Sequence, residues 1–143
     1  MKIDFYILDN ADKQKALLFT CQLIEKIYLQ QSVYVYLQSK DAAEYFDNLL
    51  WVYRDDSFLP HHLYEEQSDA IAPIEIGYGT IIPQRKNTLI NLDTAIPNFY
   101  SEFNHLIEIV FSDAPVQQLA RERYKMYRNQ GHELNTYKET VLL

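Results

Sequence analysis

The chain has 143 residues, and its 20 acidic residues outnumber its 13 lysines and arginines, which gives a formal net charge of −7 at neutral pH. This length predicts a single domain over residues 1–143, with enough chain to bury a core without metals or disulfides. A hydrophobic fraction of 48% excludes an intrinsically disordered chain. The acidic balance excludes a general duplex-DNA binder, which would need a broad basic surface.

The lack of a long apolar run and of signal-peptide features predicts a cytoplasmic protein without membrane contact. No apolar run approaches the roughly 18 residues that a bilayer span requires. The early Asp4 and the lack of a small-residue cleavage site argue against a signal peptide. The lone Cys21 excludes an internal disulfide, and its place in an apolar helical stripe predicts a small buried side chain.

Predicted strands and helices alternate along the first half of the chain. A strand over Lys2–Asp9 is followed by a helix over Lys13–Gln31, with Asn10 or Asp12 as its cap. A second strand over Ser32–Ser39 and a second helix over Lys40–Tyr53 come next. The polar stretch Arg54–Pro73, with prolines at 60 and 73, is predicted to be irregular.

The second half continues the alternation. Strands are predicted at Ile74–Gly79, Thr88–Asp93 and His105–Phe111, with a short helix at Ala95–Asn104 that Pro97 opens. The last helix begins at Ser112 or Asp113, has Pro115 in its first turn and stops at Gly131. This order predicts an α/β fold, a Rossmann-like three-layer sandwich with a largely parallel sheet of about five strands.

Motifs for cofactors, metals or catalysis are not apparent, so we expect no cofactor, no metal and no catalytic residues. The turn after the first strand contains no glycine, although a phosphate-binding loop needs glycines for close backbone approach. Asp9 and Asp12 fit an ordinary turn and helix cap better than a magnesium site. His61 and His62 are adjacent and point in different directions in an extended loop, which is poor geometry for zinc.

Positive charge is concentrated in the last helix, within "LARERYKMYRN". Arg121, Arg123, Lys125 and Arg128 fall within eight residues, and Glu122 is the one acid among them. At 3.6 residues per turn, the side expected to pack on the sheet carries Val116, Leu119, Ala120, Arg123 and Tyr127. The exposed side carries Gln117, Arg121, Tyr124, Lys125 and Arg128.

Three interpretations of this basic face are open on the residues alone. It suits an acidic peptide with an aromatic side chain or a terminal carboxylate. It equally suits single-stranded nucleic acid, with phosphates on the cations and bases stacked on tyrosine. A solvated helix face with cations near its C-terminus is the third interpretation. A second candidate surface is the loop after the second helix, where Trp51, Phe58 and Leu59 either tuck under the domain or anchor a partner.

Four segments follow one another in the order and spacing of a known family. They are "FYILDN" near the N-terminus, "LLW…SFLPHHL" in the middle, "PIEI" at Pro73–Ile76, and the long and specific "LARERYKMYRNQGHELNT" near the end. Over nearly its whole length, the chain resembles the chi subunit of the bacterial DNA polymerase III holoenzyme.

The resemblance implies a non-enzymatic accessory protein in DNA replication. Proteins of this family form a 1:1 complex with the psi subunit, which attaches them to the clamp loader. They also bind the acidic C-terminal tail of single-stranded DNA-binding protein, which ends in an aromatic residue bearing the chain's carboxylate. In some bacteria a helicase competes for the psi surface.

Site residues follow from the same resemblance. The tail-binding positions match Arg121, Tyr124 and Lys125, and Arg128, Leu134 and Thr136 complete the pocket. Gln117 stands where the family often has a lysine, one turn before Arg121. The psi-facing positions match Trp51 and Phe58, with Leu59 beside them.

Overall fold

Parallel strands form one open sheet with helices on both faces. The computed structural model describes residues 1–54, 58–64 and 72–141. The strands of these residues are β1 (Lys2–Asp9), β2 (Val33–Leu37), β3 (His61–Leu63), β4 (Ile74–Tyr78), β5 (Thr88–Asn91), β6 (His105–Val110) and β7 (Glu133–Thr140). Their helices are α1 (Lys13–Ile27), α2 (Lys40–Val52) and α3 (Ala114–Asn129), and a short 3-10 turn spans Tyr100–Glu102.

The sheet order is β3-β4-β2-β5-β6-β1-β7, and every pairing between these strands is parallel. All five residues of β2, VYVYL, are buried, as is usual for a central strand that helices cover on both faces. The predicted α/β, Rossmann-like sandwich is therefore confirmed. The predicted strand count was wrong, because the described residues contain seven strands where about five were expected.

Two hydrophobic cores lie on opposite faces of the sheet. On one face α1 and α2 contribute Leu17, Cys21, Ile24, Phe46 and Leu50. On the other face α3 and the segment 92–104 contribute Phe99, Phe103, Ala120 and Tyr127, which pack against Ile3 and Phe5 of β1. A single helix therefore covers the β6–β1 half of that second face, which determines where the basic side of α3 lies.

The predicted helix starts are confirmed at α1 and α3. The Asp12 carboxylate accepts a hydrogen bond from the Lys15 amide at 2.9 Å, and the Asp113 carboxylate accepts one from the Val116 amide at 3.1 Å. These bonds satisfy amide groups of the first turn that have no partner within the helix. At the other end of α3, Gly131 has a φ of +84°, a left-handed conformation that favours glycine.

Four elements of the structure differ from the prediction. Strands β3 and β7 were not predicted, and the helix predicted at Ala95–Asn104 was wrong. Only a 3-10 turn forms there, because Phe99 and Phe103 are both drawn into the core and the Tyr100 amide bonds to the Pro97 carbonyl at 3.1 Å. The first helix ends at Ile27, four residues before its predicted end.

Candidate functional site

A buried polar cluster attaches α3 to the sheet. The Glu108 side chain on β6 is only 1% exposed, and its carboxylate accepts a hydrogen bond from Arg123 Nε at 2.8 Å and from the Tyr127 hydroxyl at 2.7 Å. The Asn91 amide donates to the same carboxylate at 3.0 Å. Burial, followed by the Glu108 charge, raises the pKa of Tyr127 well above its ordinary value, so its hydroxyl remains a donor. Both Arg123 and Tyr127 therefore lie on the sheet-facing side of α3, as the helical periodicity predicted.

A groove runs along the other flank of α3, between that helix and strands β1, β6 and β7. Its volume is about 390 Å³. We call it the α3 groove, and it is lined by Phe5, Ile7, Val110, Gln117, Ala120, Arg121, Tyr124, Lys125, Arg128 and Thr136. The structure thus brings together six of the seven predicted tail-binding residues.

The α3 groove has an apolar floor and a basic rim. Phe5 and Ile7 of β1 lie at the floor with Val110 of β6, and the Phe5 and Tyr124 rings lie 5.4 Å apart. Arg121, Lys125 and Arg128 on α3 are exposed. Among the residues that the structure describes, none of these three cations forms an ion pair. An apolar floor beneath unpaired cations suits a ligand that carries a ring or alkyl group next to a negative charge.

Leu134, the seventh predicted residue, does not line the groove. It packs against the core beneath α3, where it supports β7, while Thr136 on the same strand reaches the groove. The sequence interpretation missed the floor residues Phe5, Ile7 and Val110. The alternation of Ile3, Phe5 and Ile7 places them on one face of β1, but it does not reveal that α3 leaves part of that face uncovered.

The second predicted surface lies at the end of α2. Trp51 is 47% exposed and Phe58 is 69% exposed, and their rings lie 5.5 Å apart. Val52, which the sequence interpretation missed, is also exposed beside Trp51. We call Trp51, Val52 and Phe58 the Trp51 patch. Leu59 is only 2% exposed and belongs to the core, so it is not part of this exposed patch.

His61 fixes the base of the Trp51 patch. Its ring lies 4.3 Å from the Trp51 ring, and its two nitrogens lie within hydrogen-bond distance of the Leu59 and Asp47 carbonyls. His62 instead contacts the Glu75 carboxylate at 3.0 Å. The two histidines therefore point to different partners, as the sequence predicted.

Cys21, the candidate thiol, lies in the packed interior of the protein. Cys21 is fully buried, and burial raises the pKa of its thiol to about 12, which is unsuitable for a nucleophile. Within the described part of the chain, no cluster of histidine, cysteine and carboxylate side chains has the arrangement of a metal site. The described helices include none with the length and apolar character of a membrane span.

Gly77 lies inside β4, within the strand predicted at Ile74–Gly79. A Cβ at this position would meet the Tyr34 hydroxyl at 1.8 Å, so the glycine makes room for that ring. Gly79, with a φ of +67°, makes the turn that follows.

Fold and groove together define a Rossmann-like α/β protein with an apolar, basic-rimmed groove on the flank of its last helix. A family model for the DNA polymerase III chi subunit, HolC, matches residues 1–135. The DNA polymerase III subunit chi of Pseudomonas aeruginosa is 35% identical over 139 residues, covering 96% of this chain and 96% of that protein. The chain belongs to the DNA polymerase III chi subunit family.

Two further relatives have the same name. The DNA polymerase III subunit chi of Escherichia coli is 34% identical over 142 residues, covering 92% of this chain and 94% of that protein. That of Haemophilus influenzae is 35% identical over 134 residues, covering 92% of this chain and 93% of that protein. Membership of this family makes the chain a replication accessory subunit of DNA polymerase III.

Proposed function

We propose that this chain is a non-catalytic bridging subunit. One surface binds the psi subunit, and through it the clamp loader, while another binds the acidic C-terminal tail of single-stranded DNA-binding protein. The observation that carries this proposal is that two dissimilar recognition surfaces lie at opposite edges of the sheet. The Trp51 patch adjoins the β3 edge, and the α3 groove adjoins the β7 edge.

The separation of the two surfaces supports simultaneous binding. The seven strands of the described residues, at a spacing of about 4.8 Å, place the two edges roughly 29 Å apart. A partner on the Trp51 patch therefore leaves the α3 groove open. A subunit with this geometry can hold two proteins together without an active site of its own.

The α3 groove has the chemistry of an acidic tail that ends in an aromatic residue. Its apolar floor, with Phe5 and Tyr124 side by side, fits an aromatic side chain. Arg121, Lys125 and Arg128 on the rim fit the terminal carboxylate and neighbouring acids. Gln117 to Arg128 spans about 16 Å of helix, which is the length of about five extended residues.

The Trp51 patch has the chemistry of an apolar anchor. Two large aromatic side chains and Val52 are exposed together, and the His61 ring packs against Trp51. Exposed aromatic clusters of this kind are typical energetic centres of protein interfaces. We assign this patch to the psi subunit, and a helicase that binds chi in some bacteria would compete for the same residues.

Titration with a labelled acidic peptide ending in Asp-Phe-Pro-Phe tests the tail-binding half of the proposal. We expect saturable binding with a Kd on the micromolar scale that weakens as salt rises, and loss of binding in Arg121→Ala. Lys40→Ala on α2 is the matched control, since it removes an exposed cation far from the groove. No binding by the wild-type chain at low salt would refute this half of the proposal.

A parallel titration separates peptide recognition from direct nucleic-acid binding. A labelled single-stranded oligonucleotide presents phosphates and stacking bases to the same basic rim. Because a net charge of −7 repels a long polyanion more strongly than a short acidic peptide, we expect far weaker binding of the oligonucleotide than of the peptide. Tighter oligonucleotide binding that is lost in Arg121→Ala would favour the nucleic-acid function instead.

A further inference from the structure

Strand β7 contributes a cation to the neighbourhood of the α3 groove. In the register of the sheet, Phe5 pairs with Thr136, and Ile7 pairs with Lys138. Phe5, Ile7 and Thr136 all line the groove. Lys138 therefore stands beside the floor residue Ile7, one strand further toward the sheet edge.

The Lys138 side chain points to the groove face of the sheet. Alternate residues of a strand share a face, so Lys138 lies on the same face as Thr136 and Leu134. Leu134 packs beneath α3, and Thr136 lines the groove. Tyr137, between Thr136 and Lys138, points the other way, because its ring stacks on Tyr6 at 5.1 Å on the opposite face.

Lys138 is available to bind a ligand. It is exposed, and it forms no ion pair within the described residues. Asp9 lies on the same face of β1, two residues beyond Ile7, and these two described residues do not form an ion pair with each other. A lysine with its charge uncompensated can therefore pair with an anion that enters the groove.

The position of Lys138 corresponds to the end of the groove where α3 lacks a cation. Val110, Ile7 and Lys138 form one row across β6, β1 and β7 near the carboxyl ends of these strands. Helix α3 starts just after β6, so this row lies near the first turns of the helix. The groove residue of those turns is the neutral Gln117, and the helix cations begin only at Arg121.

We propose that Lys138 is a binding residue of the α3 groove that pairs with an acidic side chain of the bound peptide. It supplies positive charge at the end where α3 presents Gln117. The basic rim thus continues from the helix onto strand β7 and encloses the groove from two sides. This inference rests on the proposed function, since it concerns the same acidic peptide.

The test is a double-mutant cycle across the interface. One peptide is acidic and ends in Asp-Phe-Pro-Phe, and the other has its acidic side chains replaced by asparagine while it keeps the terminal carboxylate. At low salt we expect Lys138→Gln to bind the acidic peptide about two- to five-fold more weakly than wild type. We expect no difference between the two proteins with the asparagine peptide.

Two controls make the outcome decisive. Lys26→Gln removes an exposed cation from α1, on the opposite face of the sheet, and should leave both affinities unchanged. If wild type and Lys138→Gln bind the acidic peptide with equal affinity, the proposed role of Lys138 is wrong. Loss of binding in Arg121→Ala would still support the proposed function in that case. Failure of the wild-type chain to bind would overturn both.

Discussion

Arg121 and Arg123 stand two positions apart on α3, and the fold gives them different environments. Arg121 is exposed on the rim of the α3 groove. The Arg123 side chain is mostly buried, and its guanidinium bonds to the Glu108 carboxylate and, at 2.7 Å, to the Thr94 carbonyl. One arginine is therefore available for recognition, and the other holds the helix on the sheet.

Because of these environments, substitution by alanine should affect stability at one arginine and peptide binding at the other. Arg123→Ala leaves the buried Glu108 carboxylate without its cation, so we expect the free energy of unfolding to fall by about 3–5 kcal/mol. Arg121→Ala should change it by less than about 0.5 kcal/mol while abolishing peptide binding. Urea unfolding of both variants measures the difference. Equal destabilisation by the two substitutions would contradict this assignment.

Cys21 should lower the free energy of unfolding as the pH becomes alkaline. Burial raises the pKa of its thiol to about 12, above its value in the unfolded chain, so the folded state favours the protonated thiol. The stability that this preference gives is complete below the unfolded-state pKa near 8.5–9 and is lost as pH rises toward 12. Between pH 7.5 and 9.5, Cys21 should account for a loss of about 1 kcal/mol.

The measurement compares urea unfolding of wild type and Cys21→Ala at both pH values, with reductant present. Buried tyrosines, including Tyr34, have raised pKa values and contribute in the same direction, but they do so in both proteins. The wild-type chain should therefore lose about 1 kcal/mol more than Cys21→Ala. The same loss in both proteins would show that Cys21 has no such role.

At the scale of the element, helical periodicity was sufficient to predict α3 and its two faces. Arg123 and Tyr127 were assigned to the packed side, and Arg121 and Tyr124 to the open side, and the structure has them there. A helix that packs on a sheet needs an apolar stripe, so its pattern of residues is strong. The groove beside it could not be predicted, because its floor comes from Phe5 and Ile7, which lie far from α3 along the chain.

The sequences of the two edge strands, β3 and β7, gave much weaker indications of secondary structure. The β7 sequence, ELNTYKET, is mostly polar because this edge strand is largely exposed along its length. Strand β3 has only three residues, His61–Leu63, directly after a proline in a polar segment. Central strands such as β2 are buried on both faces and are correspondingly apolar, which is why they were predicted and the edges were not.

At the scale of the whole molecule, the two edges of the sheet present surfaces that differ in chemistry. The Trp51 patch at the β3 edge is aromatic and apolar, whereas the α3 groove at the β7 edge combines an apolar floor with cations that are unpaired among the described residues. Binding at the patch should therefore depend little on salt, and binding at the groove should weaken as salt screens the cations. The proposed binding of an acidic tail therefore needs no broad basic surface on this acidic protein.

Simultaneous occupancy of both edges is the strongest prediction of the proposed bridging function. With psi bound, the chain should bind the acidic peptide with a Kd within about two-fold of that of the free chain, because the sheet separates the two sites by roughly 29 Å.

Variants at the two surfaces should have separate effects. Phe58→Ala should weaken psi binding by about 2 kcal/mol and leave peptide binding intact, whereas Arg121→Ala should abolish peptide binding and leave psi binding intact. Calorimetric titrations of the wild-type chain, its psi complex and the two variants measure these affinities. Competition between psi and the peptide would require the two surfaces to overlap and would exclude a bridge.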